Sequence, residues 1–210
     1  MESFWEFLKK LTDPESILNF GGLALLLTVI FAETGLLIGF FLPGDSLVFI
    51  SGLFCAVKPQ YVNHVSIHFL LLLMMSAAIL GNTTGFWFGK KAGEKLFTRD
   101  DNLIFKKRYL STTESFYQRH GNKALILGRF FPIIRTFAPI LAGAIKMNFM
   151  KFMLLNFAGA FLWIGSICSI GYYLGSRYPE TEKHLGKIIL IMLVLTTIPV
   201  VKGLIKRKNR

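Results

Sequence analysis

The sequence predicts an all-α polytopic membrane protein. Its plan is two opposed re-entrant helical hairpins, each followed by a transmembrane helix, the two copies forming an inverted repeat. A C-terminal transmembrane helix and an N-terminal amphipathic helix complete it. Three observations carry this prediction. Of 210 residues, 53% are hydrophobic and 14% aromatic, and the mean hydropathy is positive, which leaves room for one membrane domain over 1–210 and no sizeable extramembrane one. Two apolar runs nonetheless hold charges and prolines that lipid alone cannot accommodate. The net charge of +12 is concentrated in loops between apolar runs, where the positive-inside bias accounts for it. No nucleic-acid motif accompanies that charge, so no nucleic-acid partner is expected.

Residues 1–14 come first. Phe4, Phe7, Leu8 and Leu11 fall on one helical face, with Trp5 near it, as in an amphipathic helix lying at the membrane interface. The segment lacks the basic start of a cleaved signal peptide. Asp13-Pro14-Glu15 ends it and can start the next helix.

Residues 17–57 are almost wholly apolar and carry only two charges, Glu33 and Asp45. Pro43-Gly44 between them is a turn signal, and Asp45 or Ser46 can cap the helix that follows. The arm after the turn has only about twelve residues against the twenty or so that a span needs. The segment therefore reads as a re-entrant hairpin with its turn at membrane depth. On that reading the N-terminus lies outside; if 17–41 were a full span, it would lie inside.

Residues 65–88 make a full span ending in Gly85-Phe-Trp-Phe-Gly-Lys-Lys, an aromatic anchor followed by basic residues. The loop 90–123 has nine Lys/Arg against four Asp/Glu and is placed in the cytoplasm. Residues 124–145 form the second hairpin. It contains Gly128-Arg-Phe-Phe-Pro-Ile-Ile-Arg-Thr-Phe-Ala-Pro-Ile-Leu-Ala-Gly143, with two arginines and two prolines in an apolar run. An arginine at the bilayer centre costs about 2.5–3.5 kcal/mol on insertion scales, so such a segment belongs where protein or a wet cavity surrounds it. Residues 152–175 are the next span, and residues 185–205 the last. The final span closes on Lys202, Lys206, Arg207, Lys208 and Arg210, which puts the C-terminus in the cytoplasm.

The halves share a plan: a Pro/Gly-broken charged hairpin, a small-residue exit, then a span ending in Gly-aromatic-aromatic-X-Gly and a basic residue. The sequence matches Gly85–Gly89 to Gly171–Gly175. Tandem copies that each contribute one crossing are inverted, and paired broken segments are the transporter pattern. Pro43, Gly44, Pro132, Pro139 and Gly143 are the expected hairpin-breaking residues. Those breaks would turn the acids Glu33 and Asp45 of the first hairpin toward Arg129 and Arg135 of the second. Acids in such a cavity can load and release protons, and arginines can hold a phosphate. The alternative is a set of buried ion pairs that only holds the hairpins together. Asn82, Thr83, Thr84, Asn156, Ser166 and Ser169 fall at membrane depth, where interhelical hydrogen bonds are the expected role.

Cys55 and Cys168 read as buried membrane thiols. His64, His68, His120 and His184 are scattered and form no metal-ligand spacing. With no Ser–His pairing or metal cluster, neither enzyme chemistry nor a cofactor is expected.

Glu33 with Phe41-Leu-Pro-Gly-Asp45, then Gly81-Asn82-X-X-Gly85, then Gly128-Arg-Phe-X-Pro-X-X-Arg-Thr-X-X-Pro-X-X-Ala-Gly143, together resemble the DedA family, also called the SNARE-associated or VTT-domain family. The similarity covers roughly residues 15–180. The resemblance implies a bacterial inner-membrane protein with two opposed re-entrant hairpins. It also implies flipping of undecaprenyl phosphate or phospholipid, proton-dependent transport and a part in envelope homeostasis. The family's important acids fall on Glu33 and Asp45, and its important arginines on Arg129 and Arg135. The leading expectation is a transporter for a lipid with a phosphate head group, with the arginines on the phosphate and the acids coupled to protons. Alternatives are a proton-coupled antiporter of a cation or small solute, and a non-transporting membrane assembly factor.

Overall fold

The computed structural model describes residues 14–36, 44–98, 124–184 and 186–188, together with Ser115, Arg119 and Gly121. The amphipathic helix expected at 1–14, the turn residue Pro43, most of the basic loop and nearly all of the segment 185–205 lie outside the described residues. Every described element is helical. Helix α1 spans Pro14–Gly35 and α2 spans Gly44–Val57. The long helix α3 covers Ile67–Thr98. A four-residue helix α4, Ala124–Leu127, runs into a 3-10 turn at Gly128–Phe130. Helix α5, Pro132–Ala144, and the long helix α6, Phe149–Arg177, follow.

Two of these helices are long and apolar enough to cross a membrane, Ile67–Ala92 within α3 and Phe149–Arg177. Both turn large apolar side chains outward, among them Phe69, Leu72 and Leu80 on α3 and Leu154, Phe157 and Phe161 on α6. A contiguous exposed apolar surface of this kind suits lipid rather than water. Asn148 caps α6, its side chain accepting from the Lys151 N–H at 3.1 Å, which satisfies one of the orphan donors of the first turn.

Helix α1 is broken early. Gly22 has φ 50° and ψ −142°, a conformation that glycine alone adopts at little cost. The continuous helix beyond it is about 20 Å long at 1.5 Å per residue, short of the roughly 30 Å hydrocarbon thickness.

The short helices pack against the long ones: α2 lies on α6, and α5 lies on α3. Glycines make both crossings close. A Cβ on Gly52 would run into the Cys168 carbonyl, and one on Gly171 into the Phe49 carbonyl. In the other crossing, a Cβ on Gly143 would meet the Phe86 carbonyl, and one on Gly89 the Ile140 carbonyl. In each case a glycine faces the carbonyl three residues before its partner glycine, so the crossings share one register. Small residues let backbones approach where lipid supplies no hydrophobic drive between helices. The larger core, with Ile30, Leu53, Phe54, Met74 and Trp163, joins α1, α2, α3 and α6. A smaller one, with Phe86, Ile134, Ala138 and Phe152, joins α3, α5 and α6.

The expected breaks are redistributed. Pro132 opens α5 after an extended Phe131 (φ −119°, ψ 113°), a position where its missing N–H leaves no bond unmade. Pro139 does not break the hairpin; it lies inside α5, and the helix continues through it. Gly143 also stands within α5 and serves the close crossing on α3. Gly44 begins α2, where a side chain would collide with the Glu33 carboxylate.

Candidate functional site

The break at Phe131 sets where the second segment's arginines go. Arg135 sits in the first turn of α5, its N–H donating to the Phe131 carbonyl at 2.8 Å. From there its guanidinium reaches both acids of the first segment. Nη1 donates to Asp45 Oδ1 at 2.6 Å, and Nη2 donates to Glu33 Oε1. Glu33 comes from the end of α1 and Asp45 from the start of α2, so one arginine ties both arms together. Glu33 and Arg135 are buried, at 1% and 5% exposure.

Trp163 of α6 completes this group. The Arg135 guanidinium carbon lies 4.5 Å from the centre of its ring, and its indole N–H donates to Asp45 Oδ1 at 2.8 Å. Stacking an arginine on an indole adds cation–π attraction that desolvation strengthens. Asp45 Oδ1 thus accepts from two donors on two different helices.

Arg129 goes elsewhere. Both arginines were expected to meet the acids, but only Arg135 does. Arg129, in the 3-10 turn before the break, points between α3 and α6. Its Nη2 donates to the Asn156 carbonyl at 3.0 Å and also to Asn156 Oδ1. The Asn82 amide is assigned with its nitrogen donating to the Thr34 carbonyl at 3.0 Å and its oxygen accepting from Arg129 Nη2 at 2.5 Å. That orientation leaves Asn82 Oδ1 2.9 Å from Asn156 Oδ1, whereas the reverse one donates to Asn156 Oδ1 but sets the Asn82 oxygen against the Thr34 carbonyl. Asn156 Nδ2 donates in turn to the Ile79 carbonyl at 3.2 Å. Gly159 leaves the space for the Arg129 stem, since a Cβ there would lie 2.7 Å from Nε.

Arg129 is 2% exposed, and among the described residues no carboxylate pairs with it. Its Nε and Nη1, together with Glu33 Oε2 and Arg135 Nε, are buried without a hydrogen-bond partner among the described residues. Unmet buried donors and acceptors are expensive, and among the described residues all four fall on Glu33, Arg129 and Arg135.

The structure therefore brings Glu33, Asp45 and Arg135 together and holds Arg129 apart on amides. Trp163 was missed as a site residue. Its signal was available, since tryptophan belongs in the interfacial belts and Trp163 stands mid-helix in α6. Asn82 and Asn156 do bond across helices, as expected of small polar residues at depth. Thr84 and Ser166 instead bond to carbonyls of their own helices, Leu80 and Trp163. Thr83 donates to the Ile79 carbonyl at 2.7 Å and reaches the Met153 sulfur at 3.5 Å. Ser169 is exposed. No sequence signal pointed to Gly159.

Residues 28–173 match the VTT domain, a range that contains all four charged residues. The chain is 38% identical to Protein DedA of Escherichia coli over 89% of its length and 83% of that protein's. It is 30% identical to the inner membrane protein YghB of Salmonella typhimurium, covering 84% of this chain and 78% of that one. The inner membrane protein YqjA of Escherichia coli is 28% identical, over 85% and 79% of the two chains. No solved structure matches.

Proposed function

The chain is a membrane protein of the VTT-domain, or DedA, family, and from that membership we propose that it is a flippase or scramblase for a lipid with a phosphate head group. The carrying observation is a buried arginine, Arg129, that has donors to spare and no acid partner among the described residues. An anionic head group would supply what those donors lack. The acid pair of Glu33 and Asp45 is where transport couples to protons, and the cell's envelope homeostasis is the process it serves. Transport rather than enzymatic chemistry is the role of the site.

Two features support an inverted-repeat transporter with re-entrant segments. The first is helix length: the part of α1 beyond Gly22, and α2 and α5, are too short to span. The second is the shared register of the two glycine crossings, which equates Gly52 with Gly143 and Gly89 with Gly171. This shifts the match drawn from sequence by one helical turn, because Gly89 rather than Gly85 takes the place of Gly171. On this reading the protein is multi-pass in the inner membrane with its C-terminus in the cytoplasm. Broken segments that meet near the midplane are where transporters of this design place their sites.

A second reading, a proton-coupled antiporter of a cation or small solute, draws on the unpartnered Glu33 Oε2. There the acids bind substrate and the arginines are structural. Reconstituted vesicles separate the two. Lipid head-group accessibility across the bilayer is measured for the wild type and for Glu33→Gln, Asp45→Asn, Arg129→Ala and Arg135→Ala. A phosphate-lipid flippase loses translocation in Arg129→Ala; undiminished translocation there sinks the reading. Solute flux driven by a pH gradient without lipid movement would favour the antiporter.

A further inference from the structure

Two charged groups in the site are left incomplete. Asp45 is fixed by Arg135 and Trp163, and Arg135 is engaged by both acids. Among the described residues, Glu33 uses Oε1 on Arg135 and leaves Oε2 unmatched, while Arg129 leaves Nε and Nη1 unmatched. Both residues are nearly sealed from solvent, at 1% and 2% exposure. The charges acting on Glu33 are Arg135 of α5 and Asp45 of α2. The charge acting on Arg129 is the like charge of Arg135. From α3 and α6 the site receives neutral groups, Asn82, Asn156 and Trp163.

With both acids and both arginines ionised, the site is neutral. A proton taken by Glu33 from water leaves one positive charge in excess, and the cation with no acid beside it is Arg129. Net charge in a low-dielectric interior is unfavourable. A proton on Glu33 and an anion on Arg129 therefore stabilise each other. We propose that the site takes up a proton and one anionic charge together, with Glu33 as the proton carrier and Arg129 as the anion-binding residue. Asp45, Arg135 and Trp163 form the fixed frame between them. The anion is a phosphate group, on a lipid head group or free. This rests on the phosphate-lipid reading above and adds to it a division of labour among the four charges and a coupling between them.

Binding to the full chain in an uncharged detergent tests it by isothermal titration calorimetry. The probes are dihexanoyl phosphatidylglycerol, whose phosphodiester keeps one negative charge throughout, and dihexanoyl phosphatidylcholine as the zwitterionic control. One linked proton predicts that wild-type affinity for the phosphatidylglycerol falls roughly tenfold per pH unit on the alkaline side. Glu33→Gln holds its low-pH affinity where the wild type loses it, and Glu33→Asp keeps the slope. Arg129→Gln loses the preference for phosphatidylglycerol over phosphatidylcholine. Size-exclusion profiles confirm that each variant is folded. A pH slope that persists in Glu33→Gln overturns the proposal, as does an undiminished preference in Arg129→Gln. A wild type with no preference at any pH overturns the phosphate-lipid reading itself, which is a different result. Competition by inorganic phosphate assigns the free anion as a sufficient ligand, and failure to compete assigns the lipid; the proton linkage stands with either source.

Discussion

The indole N–H of Trp163 donates to Asp45 Oδ1 at 2.8 Å. That bond joins α6, a helix long enough to span a membrane, to the first turn of α2, a short one. Because the same ring stacks on Arg135, Trp163 fixes the acid and its counter-ion together. A hydrogen bond to a charged group contributes about 1.5–3 kcal/mol. Trp163→Phe keeps a ring under Arg135 but loses the donor. Its thermal midpoint in detergent should fall by several degrees, and head-group translocation should slow. A midpoint equal to wild type would mean that Asp45 finds another donor.

Arg135 and Arg129 should separate in stability measurements. Removing Arg135 leaves the buried Glu33 and the half-buried Asp45 without their cation, and breaking a buried pair from one side costs about 3–5 kcal/mol. Arg135→Gln is therefore expected to express poorly or unfold early. Glu33→Gln and Asp45→Asn in the same chain should restore the midpoint without restoring transport. Arg129 has no acid to orphan, so Arg129→Gln should keep a wild-type midpoint or raise it, and still lose translocation. Equal destabilisation by both single variants would contradict the difference in their surroundings.

That difference explains what could and could not be read from the sequence. Glu33, Asp45, Arg129 and Arg135 stand out because charges are rare in apolar runs. The spans expected at 65–88 and 152–175 stand out by length alone; the first falls on α3 from Ile67 onward, and the second lies within α6. Which arginine meets which acid depends on where the backbone breaks, and the prolines pointed to it only in part. Pro132 opens a helix, as its fixed φ favours. Pro139 gives the Arg135 carbonyl no donor, yet the helix carries it, because membrane helices can satisfy a freed carbonyl in other ways. The Asn82–Asn156 clamp was visible only as two small polar residues, since its geometry comes from the crossing of α3 and α6.

The glycine crossings offer a test of packing independent of the charges. At Gly52 and Gly143 an added Cβ would strike backbone carbonyls of the long helices, which cannot rotate away as a side chain can. Overpacking of this kind costs about 1–3 kcal/mol. Gly52→Ala and Gly143→Ala should each lower the thermal midpoint. Gly165→Ala is the control: its Cβ would meet only the Met75 methyl, at 3.7 Å. Helix propensity then favours alanine by up to about 1 kcal/mol, so its midpoint should hold or rise.

Gly159 separates function from stability most cleanly. It lies within α6, where alanine is a better helix former than glycine. Its added Cβ would come 2.7 Å from Arg129 Nε and 2.8 Å from Cδ, atoms of a side chain that can shift. Gly159→Ala is therefore expected to move the Arg129 guanidinium off the Asn156 carbonyl while leaving the helix intact. The midpoint should stay within about 1 kcal/mol of wild type, while head-group translocation falls at least tenfold. Arg129→Ala alongside Gly159→Ala should lose no more activity than Arg129→Ala alone, because residues acting through one group are not additive. If the double variant is additive instead, Gly159 acts on transport by some route other than Arg129.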